Sequence, residues 1–536
     1  MLLLISLVVP SLMLLACAVP ELARRMPKLL VLAPLPALSA SLLASGASLT
    51  LPRALLGVTL ALDGPGAMLL GVAALLWMAA GFYAPEFLRR SRHGARFTIW
   101  WLMTLTGSLG VFMAADLVSF YLTFSLVSLA AYGIIAYDSN AGTQRAGMVY
   151  VALAILGEAF LLLAFVMLAA AVPGDSLLIS DAVAALPASP WRAATMALLI
   201  AGFGVKIGMV PLHGWMPLAY SAAPIPAAAV LSGAAVKAGV IGLIRFLPLG
   251  VATPGWGEAL TVLGLFSAFY GVAVGITQSN PKTILAYSSI SQMGVIAAVF
   301  GMGLAAGDST TATAVAFYAG HHVLAKGALF LAVGAMAAAG SAGRWAVLVP
   351  ASIVALGLGG LPFTGGALAK SAVKDVLGYG TVGTLAALSA AGTTLLMLHF
   401  LRRLTCIGAS DDGVAAPGRL TAAWLVMALA AVAVPWLLYP GTLADLMATA
   451  ALWASVWPIL LGGALALALW RWGGYLPQVP PGDIVVFGET AAVSAYRWGA
   501  VLERADGFLR QWPVAGVSLL TIVILLAVAM LVPRPG

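Results

Sequence analysis

Apolar runs of about twenty residues follow one another along almost the whole chain, each long enough to cross a bilayer as a helix. They fall at 2–19, 29–51, 64–83, 97–115, 116–137, 147–172, 191–220, 227–247, 257–277, 284–304, 310–339, 346–378, 381–401, 420–439, 450–470 and 516–532, which predicts about sixteen spans. A soluble domain carries about 25% charged residues. This chain of 536 residues carries 8%, with 62% hydrophobic residues and a mean hydropathy of +1.06. The reading is an all-α polytopic membrane protein with no separate soluble domain. The first run lacks a basic leading region, so it reads as an uncleaved helix. Cys17 and Cys406 lie far apart and make neither a metal motif nor a disulfide framework.

The net charge of +8 is not a nucleic-acid footprint, because it is spread over alternate loops. One set holds Arg24, Arg25, Lys28, Arg89, Arg90, Arg92 and Arg96, and continues to Arg497, Arg504 and Arg510; the opposite set holds only Arg53 and Arg192. The positive-inside rule assigns the first set to the cytoplasm. An even number of spans then puts both termini outside, in a bacterial-type cytoplasmic (inner) membrane.

The stretch from Gly204 to Arg245 departs most from plain apolar sequence. Lys206 and Lys237 stand in apolar surroundings, with Pro211, Pro217, Pro224, Pro226 and His213 between them. A charge at bilayer depth costs about 2.5–3.5 kcal/mol or more. Interrupted backbone is tolerated there only where it is buried in protein or lines a wet cavity. The combination predicts a broken helix beside an ion path. Other ionisable groups within the spans are Glu158 in the sixth, His321, His322 and Lys326 in the eleventh, and Lys370 and Lys374 in the twelfth. His322 and Lys326 are four apart and share a helix face. The twelfth span is itself broken at Leu361 to Gly366, with Pro362 in the break. Asp116, between the fourth and fifth spans, has the plainer reading of a helix N-cap. Lys374 with Asp375 reads equally well as an exposed pair near a helix end, and His321 as a structural partner.

A lysine beside a proline-broken helix thus recurs five spans later. Five is odd, so the second unit is expected to be inverted in the membrane, with its site near the midplane. The domain plan is N-terminal helices 1–96, a first repeat 97–247 and a second 257–401. Further helices follow at 402–470, then an amphipathic cytoplasmic-side segment at 471–515 and a last helix at 516–536.

The stretch PLHGWMPLAYSAAPIPAAAVLSGAAVKAGVIGLIR resembles the signature of antiporter-like proton-channel subunits. That family includes the large membrane subunits of complex I, the Mrp antiporters and the membrane arms of energy-converting hydrogenases. ILAYSSISQMG (Ile284 to Gly294), HHVLAKGALFLAVGAM (His321 to Met336) and GLPFTGGALAK (Gly360 to Lys370) resemble its next motifs, in order, over roughly residues 60–405. Leu218 and Ala222 stand where the complex I branch usually has acids, so the text looks closer to the hydrogenase-4 and formate-hydrogenlyase branch.

The resemblance implies a proton path through Lys206, Lys237, His322, Lys326 and Lys370. A desolvated lysine releases its proton more readily than one in water, which suits reversible proton holding. One departure stands out: relatives carry a glutamate in Phe-Glu-Leu, and here the text is Phe124-Ser125-Leu126. Glu158 is the candidate replacement, expected to face Lys206. His213, His321, Lys374 and Asp116 are secondary candidates. No nucleotide, flavin, metal or iron–sulfur motif is visible, so any redox chemistry belongs to partner subunits. The leading expectation is a proton-translocating subunit of a multisubunit energy-converting complex, with membrane and peripheral redox subunits as partners. The alternatives are a Mrp-type antiporter subunit that also handles Na+, and a conduction-deficient scaffold.

Overall fold

The computed structural model describes residues 1–54, 57–89, 93–174, 176–340, 343–408, 418–439, 441–442 and 447–491, and beyond these 496, 499, 503, 504 and 524. The chain divides into a unit from Met1 to Pro481 and a unit from Gly482 to Gly536. In the second, residues 483–491 are helical. The expected last span, and most of the expected amphipathic segment after residue 491, lie outside the described residues.

The first unit opens with α1 (Leu2–Ala16), α2 (Pro20–Arg25) and α3 (Leu35–Leu43), then a hairpin of β1 (Ser48–Leu51) and β2 (Val58–Ala61). Long helices follow: α4 (Gly64–Leu88), α5 (Gly94–Val111), α6 (Leu117–Ile135) and α7 (Ala141–Ala171), then the short α8 (Ile179–Ala185). The next group is α9 (Arg192–Ile207), α10 (Trp215–Ala222), α11 (Ile225–Val230) and α12 (Lys237–Phe246), with a π-helical turn at Leu231–Ala235 joining the last two. The remainder is α13 (Pro254–Gly275), α14 (Pro281–Ala306), α15 (Thr311–Ala338), α16 (Arg344–Gly359), α17 (Gly365–Leu377), α18 (Thr381–Thr405), α19 (Gly418–Leu438) and α20 (Thr449–Trp472).

Ten described helical segments are long and apolar enough to cross a membrane, or eleven if the bent pair Leu2–Ala16 and Pro20–Leu29 forms one span. They do not match the sixteen expected spans one for one. The run 29–51 is not a helix throughout. Pro34 and Pro36 delay the helix to Leu35–Leu43, Gly46 follows in a left-handed turn, and the chain then pairs as a hairpin with Ser48 opposite Ala61. The seventh and twelfth expected spans are each split into two shorter helices, α9 with α10 and α16 with α17.

Burial ranks the spans. The segment Ile225–Phe246 is 100% buried and α15 is 89% buried, whereas α20 is 17% and α7 33% buried. The helices that carry Lys237, His322 and Lys326 therefore form the axis of the bundle. Close packing beside that axis comes from glycine. On α13, Gly257 and Gly264 face Gly301 and Gly294 of α14 so closely that a Cβ at Gly264 would lie 2.6 Å from the Gly294 carbonyl. Small residues let helix backbones approach in this way inside membranes.

Asp116 caps α6, accepting from the Ser119 amide at 2.7 Å, and also accepts from the Thr59 amide of β2 at 2.7 Å. Nearby, Arg245 at the end of α12 donates to the carbonyls of Phe112 (2.7 Å) and Ala114 and pairs with Asp63 at 3.4 Å. This guanidinium serves the free carbonyls after α5. Arg245→Leu is expected to lower stability by about 3 kcal/mol, because several polar groups lose a charged partner at once. A thermal melt in detergent checks it; an unchanged midpoint would remove Arg245 from the framework.

Candidate functional site

The first break follows from local chemistry. Gly208 ends α9 in the left-handed conformation (φ 71°), with its amide and that of Met209 bonded back to Val205 and Gly204. A Cβ there would also meet the Met216 side chain at 2.5 Å. Pro211, which has no amide to donate, lies in the non-helical segment from Gly208 to Gly214. The freed groups find partners: Trp215 Nε1 donates to the Val205 carbonyl at 2.8 Å, and the Val210 amide donates to Ser267 Oγ at 3.0 Å. His213 is fully buried in this segment, edge-on to Tyr270 with ring centres 5.1 Å apart.

Lys206 occupies the last turn of α9 and is buried. Its Nζ donates to Ser128 Oγ of α6 at 2.8 Å and sits 5.4 Å from the centre of the Phe124 ring. Glu158 reaches the same region from α7, buried and in electrostatic contact with Lys206, and its Oε1 has no hydrogen-bond partner in the protein. No ion pair within 4.0 Å joins Glu158 and Lys206 among the described residues.

The second cluster is central. Lys237 Nζ lies 2.6 Å from His322 Nδ1 and donates to the Ser232 carbonyl at 3.3 Å. The π-helical turn just before Lys237 leaves that carbonyl available to it. Lys326, one turn beyond His322, donates to the Leu285 carbonyl at 3.0 Å. Lys206 and this cluster belong to adjoining helices: at Gly239 of α12 a Cβ would stand 3.0 Å from the Lys206 Cβ.

The third cluster surrounds the second break. Gly360 ends α16 in a left-handed conformation (φ 103°), Pro362 follows in the non-helical segment, and α17 resumes at Gly365. The Lys370 stem lies over Gly360, where a Cβ would be 2.9 Å from its Cε. His321 packs its ring on Gly365 and Gly366 and is in electrostatic contact with Lys370. Lys370 and Lys374 both line a cavity of about 330 Å³, and the Lys374 ammonium stands 5.2 Å from the centre of the Tyr379 ring.

Two features escaped the sequence reading. Ser128 is an unremarked serine on an apolar helix. A polar chain also crosses the second half: Tyr318 Oη donates to Gln292 Oε1 at 2.7 Å, and Gln292 Nε2 donates to Thr393 Oγ1 at 2.9 Å. Tyr318 lies one turn before His321 and His322 and lines the Lys370 cavity. Conversely, Asp116 is tied to the hairpin and makes none of the lysine contacts.

The family model described as NADH:quinone oxidoreductase/Mrp antiporter, transmembrane, matches residues 114–396, more than half of the chain. The chain belongs to this family. Hydrogenase-4 component B of Escherichia coli (strain K12) is 28% identical over 50% of this chain and 42% of that protein. NADH-quinone oxidoreductase subunit N of Desulforudis audaxviator is 31% identical over 50% of this chain and 54% of that protein. The solved structure of the Mrp complex from Dietzia sp. DQ12-45-1b shares the fold, with a TM-score of 0.76 at 21% identity over 100% of this chain and 63% of that chain. This member of the antiporter-like family is thus a multi-pass membrane protein that spans about half the length of the curated relatives it matches.

Proposed function

We propose that the chain is a proton-translocating subunit of a multisubunit energy-converting membrane complex, with protons held in turn by Lys206, Lys237 with His322, Lys326 and Lys370. Glu158 serves as the acidic partner of Lys206 in place of the family's glutamate at Ser125. The observation that carries this reading is the 2.6 Å contact between Lys237 and His322. It joins a lysine of the 97–247 unit to a histidine of the 257–401 unit at the most buried place in the bundle. Each unit also has a helix broken after a left-handed glycine, at Gly208 and Gly360, with a lysine near the break. That pattern supports treating the units as inverted repeats whose sites meet near the midplane. Buried polar atoms are seldom left unpaired. His322 Nε2 and the hydroxyls of Ser288 and Ser291 have no protein partner, which fits a row that water can enter.

The chemistry needs no cofactor on this chain. Each lysine takes a proton as an ammonium and releases it as an amine, and His322 can accept on one ring nitrogen and donate from the other. The test is acidification of energised inverted vesicles carrying the full chain with its partner subunits. Lys326→Ala is expected to lose proton uptake, since alanine leaves no group at this buried place that can take a proton. Full uptake in that variant would contradict the reading. Running the same assay in sodium and in choline medium separates proton translocation from cation/proton exchange, which would require sodium.

A further inference from the structure

We propose that the cavity beside the second break binds a single-chain amphiphile with an anionic head, a long-chain carboxylate, and that Lys370 and Lys374 hold the head. This binding does not depend on the proton-holding roles proposed above. The cavity measures about 330 Å³ and is walled mainly by α17, α18, α19 and α20. That is near the lower end for small-molecule pockets, about 300–1,000 Å³. It suits one chain and not the body of a two-chain lipid.

The charge in the cavity is unbalanced. Lys370 and Lys374 stand one turn apart on α17 and so share a helix face. No aspartate or glutamate lines the cavity. Neither ammonium has a carboxylate or a hydrogen-bond acceptor among the described residues: Lys374 has the Tyr379 ring at 5.2 Å, and the Lys370 stem lies over Gly360. Asp375 is exposed and, as the next residue along, does not face Lys374. The other lysines of the membrane helices are supplied by the protein itself. Lys206 donates to Ser128 Oγ, and Lys237, Lys282 and Lys326 each donate to a main-chain carbonyl. A cation in apolar surroundings is costly unless it is paired. Two neighbouring ammoniums facing one enclosure are therefore complementary to an anion.

The rest of the wall is complementary to a hydrocarbon chain. Trp436 of α19, Leu452 and Trp457 of α20, and Ala387 of α18 line it. The membrane-spanning window of α20 is only 17% buried, the least among the described spans. This wall is thus an outer layer of the bundle, beside the bilayer in which such amphiphiles dissolve. Phe363 marks the edge of the cavity. It is held at φ 61°, a left-handed conformation that a bulky residue rarely adopts, and it is 57% exposed. Strain of this kind clusters at ligand clamps. Tyr379 lines the same cavity and is also exposed.

The experiment uses the full chain with its partner subunits in phosphatidylcholine nanodiscs and palmitic acid carrying a diazirine at the end of its chain. After illumination, the labelled residues are mapped by mass spectrometry. Saturable labelling of the cavity walls on α18, α19 or α20 is expected. Palmitate should compete for it, and hexadecanol, with the same chain and no charge, should compete at least about 10-fold more weakly, as for the loss of a charge-assisted hydrogen bond. Lys374→Gln is expected to weaken labelling by a similar factor at an unchanged melting temperature. Ala387→Trp, which fills the cavity and leaves both lysines in place, is expected to abolish it. Non-saturable labelling spread over the lipid-facing helices would be ordinary partitioning and would overturn the proposal. So would competition by hexadecanol equal to that by palmitate, or wild-type labelling in either Lys374→Gln or Ala387→Trp.

Discussion

Lys206→Ala is expected to abolish coupled proton movement while the chain still inserts and folds. Its ammonium ends α9 immediately before the break, and its hydrogen-bond acceptor is Ser128. Alanine leaves no group there that can take a proton. Placement of α9 does not depend on the lysine, because Trp215 holds the Val205 carbonyl and Gly208 caps the helix. Removing one member of a buried pair costs stability where the partner left behind stays charged. Glu158, left without its cation, avoids that cost by taking up a proton, which a carboxylate can do and an isolated buried charge favours. Flux should therefore fall by at least about 100-fold at near-normal expression, measured as pH-gradient formation per amount of chain in the membrane. Normal flux would make Lys206 a structural residue.

Glu158→Gln is the second large effect. It strands Lys206 between Ser128 and Phe124 of α6, without the acid it has in the wild-type chain. Breaking a buried pair from one side costs roughly 3–5 kcal/mol when the remaining partner stays charged. The variant is expected to transport poorly, with Lys206 held mainly as the neutral amine. Ser125 lies on the face of α6 that meets Glu158, so a carboxylate placed there can reach the same site. The double variant Ser125→Glu with Glu158→Gln is therefore expected to regain part of the flux lost in Glu158→Gln alone. Flux measurements on the two variants side by side decide it. Wild-type flux in Glu158→Gln would remove the acid from the path, and a double variant no better than the single would show that α6 cannot supply it.

The lysines were legible because a charge in an apolar run is expensive and so conspicuous. The breaks were legible because Pro211 and Pro362 cannot continue a helix without loss, whereas the left-handed glycines that end each half-helix, Gly208 and Gly360, emerged only in the structure. Other features carry no such mark. The hairpin Ser48–Ala61 is apolar enough to pass for the end of a membrane helix, and only Pro34, Pro36 and Gly46 betray it. Ser128 and Tyr318 are ordinary residues for a membrane helix, and their roles arise from what α7, α9 and α14 bring to them. His321 reads as a structural neighbour of His322 in sequence. Its contact with Gly365, Gly366 and Lys370 depends on where α17 resumes after the break.

On the proposed path, Lys237 against His322 is the direct contact between the two halves. The direct test cuts that contact and leaves both ends intact. Lys237→Leu keeps Lys206 with Glu158 on one side and Lys370 with its cavity on the other. The leucine is apolar and of similar bulk, so α12 is expected to stay packed and the melting temperature to stay near wild type. The account predicts that energised inverted vesicles carrying this variant build no pH gradient although the chain is present at normal levels. A wild-type gradient in Lys237→Leu would contradict it, because protons would then be crossing by a route that does not pass between the two halves.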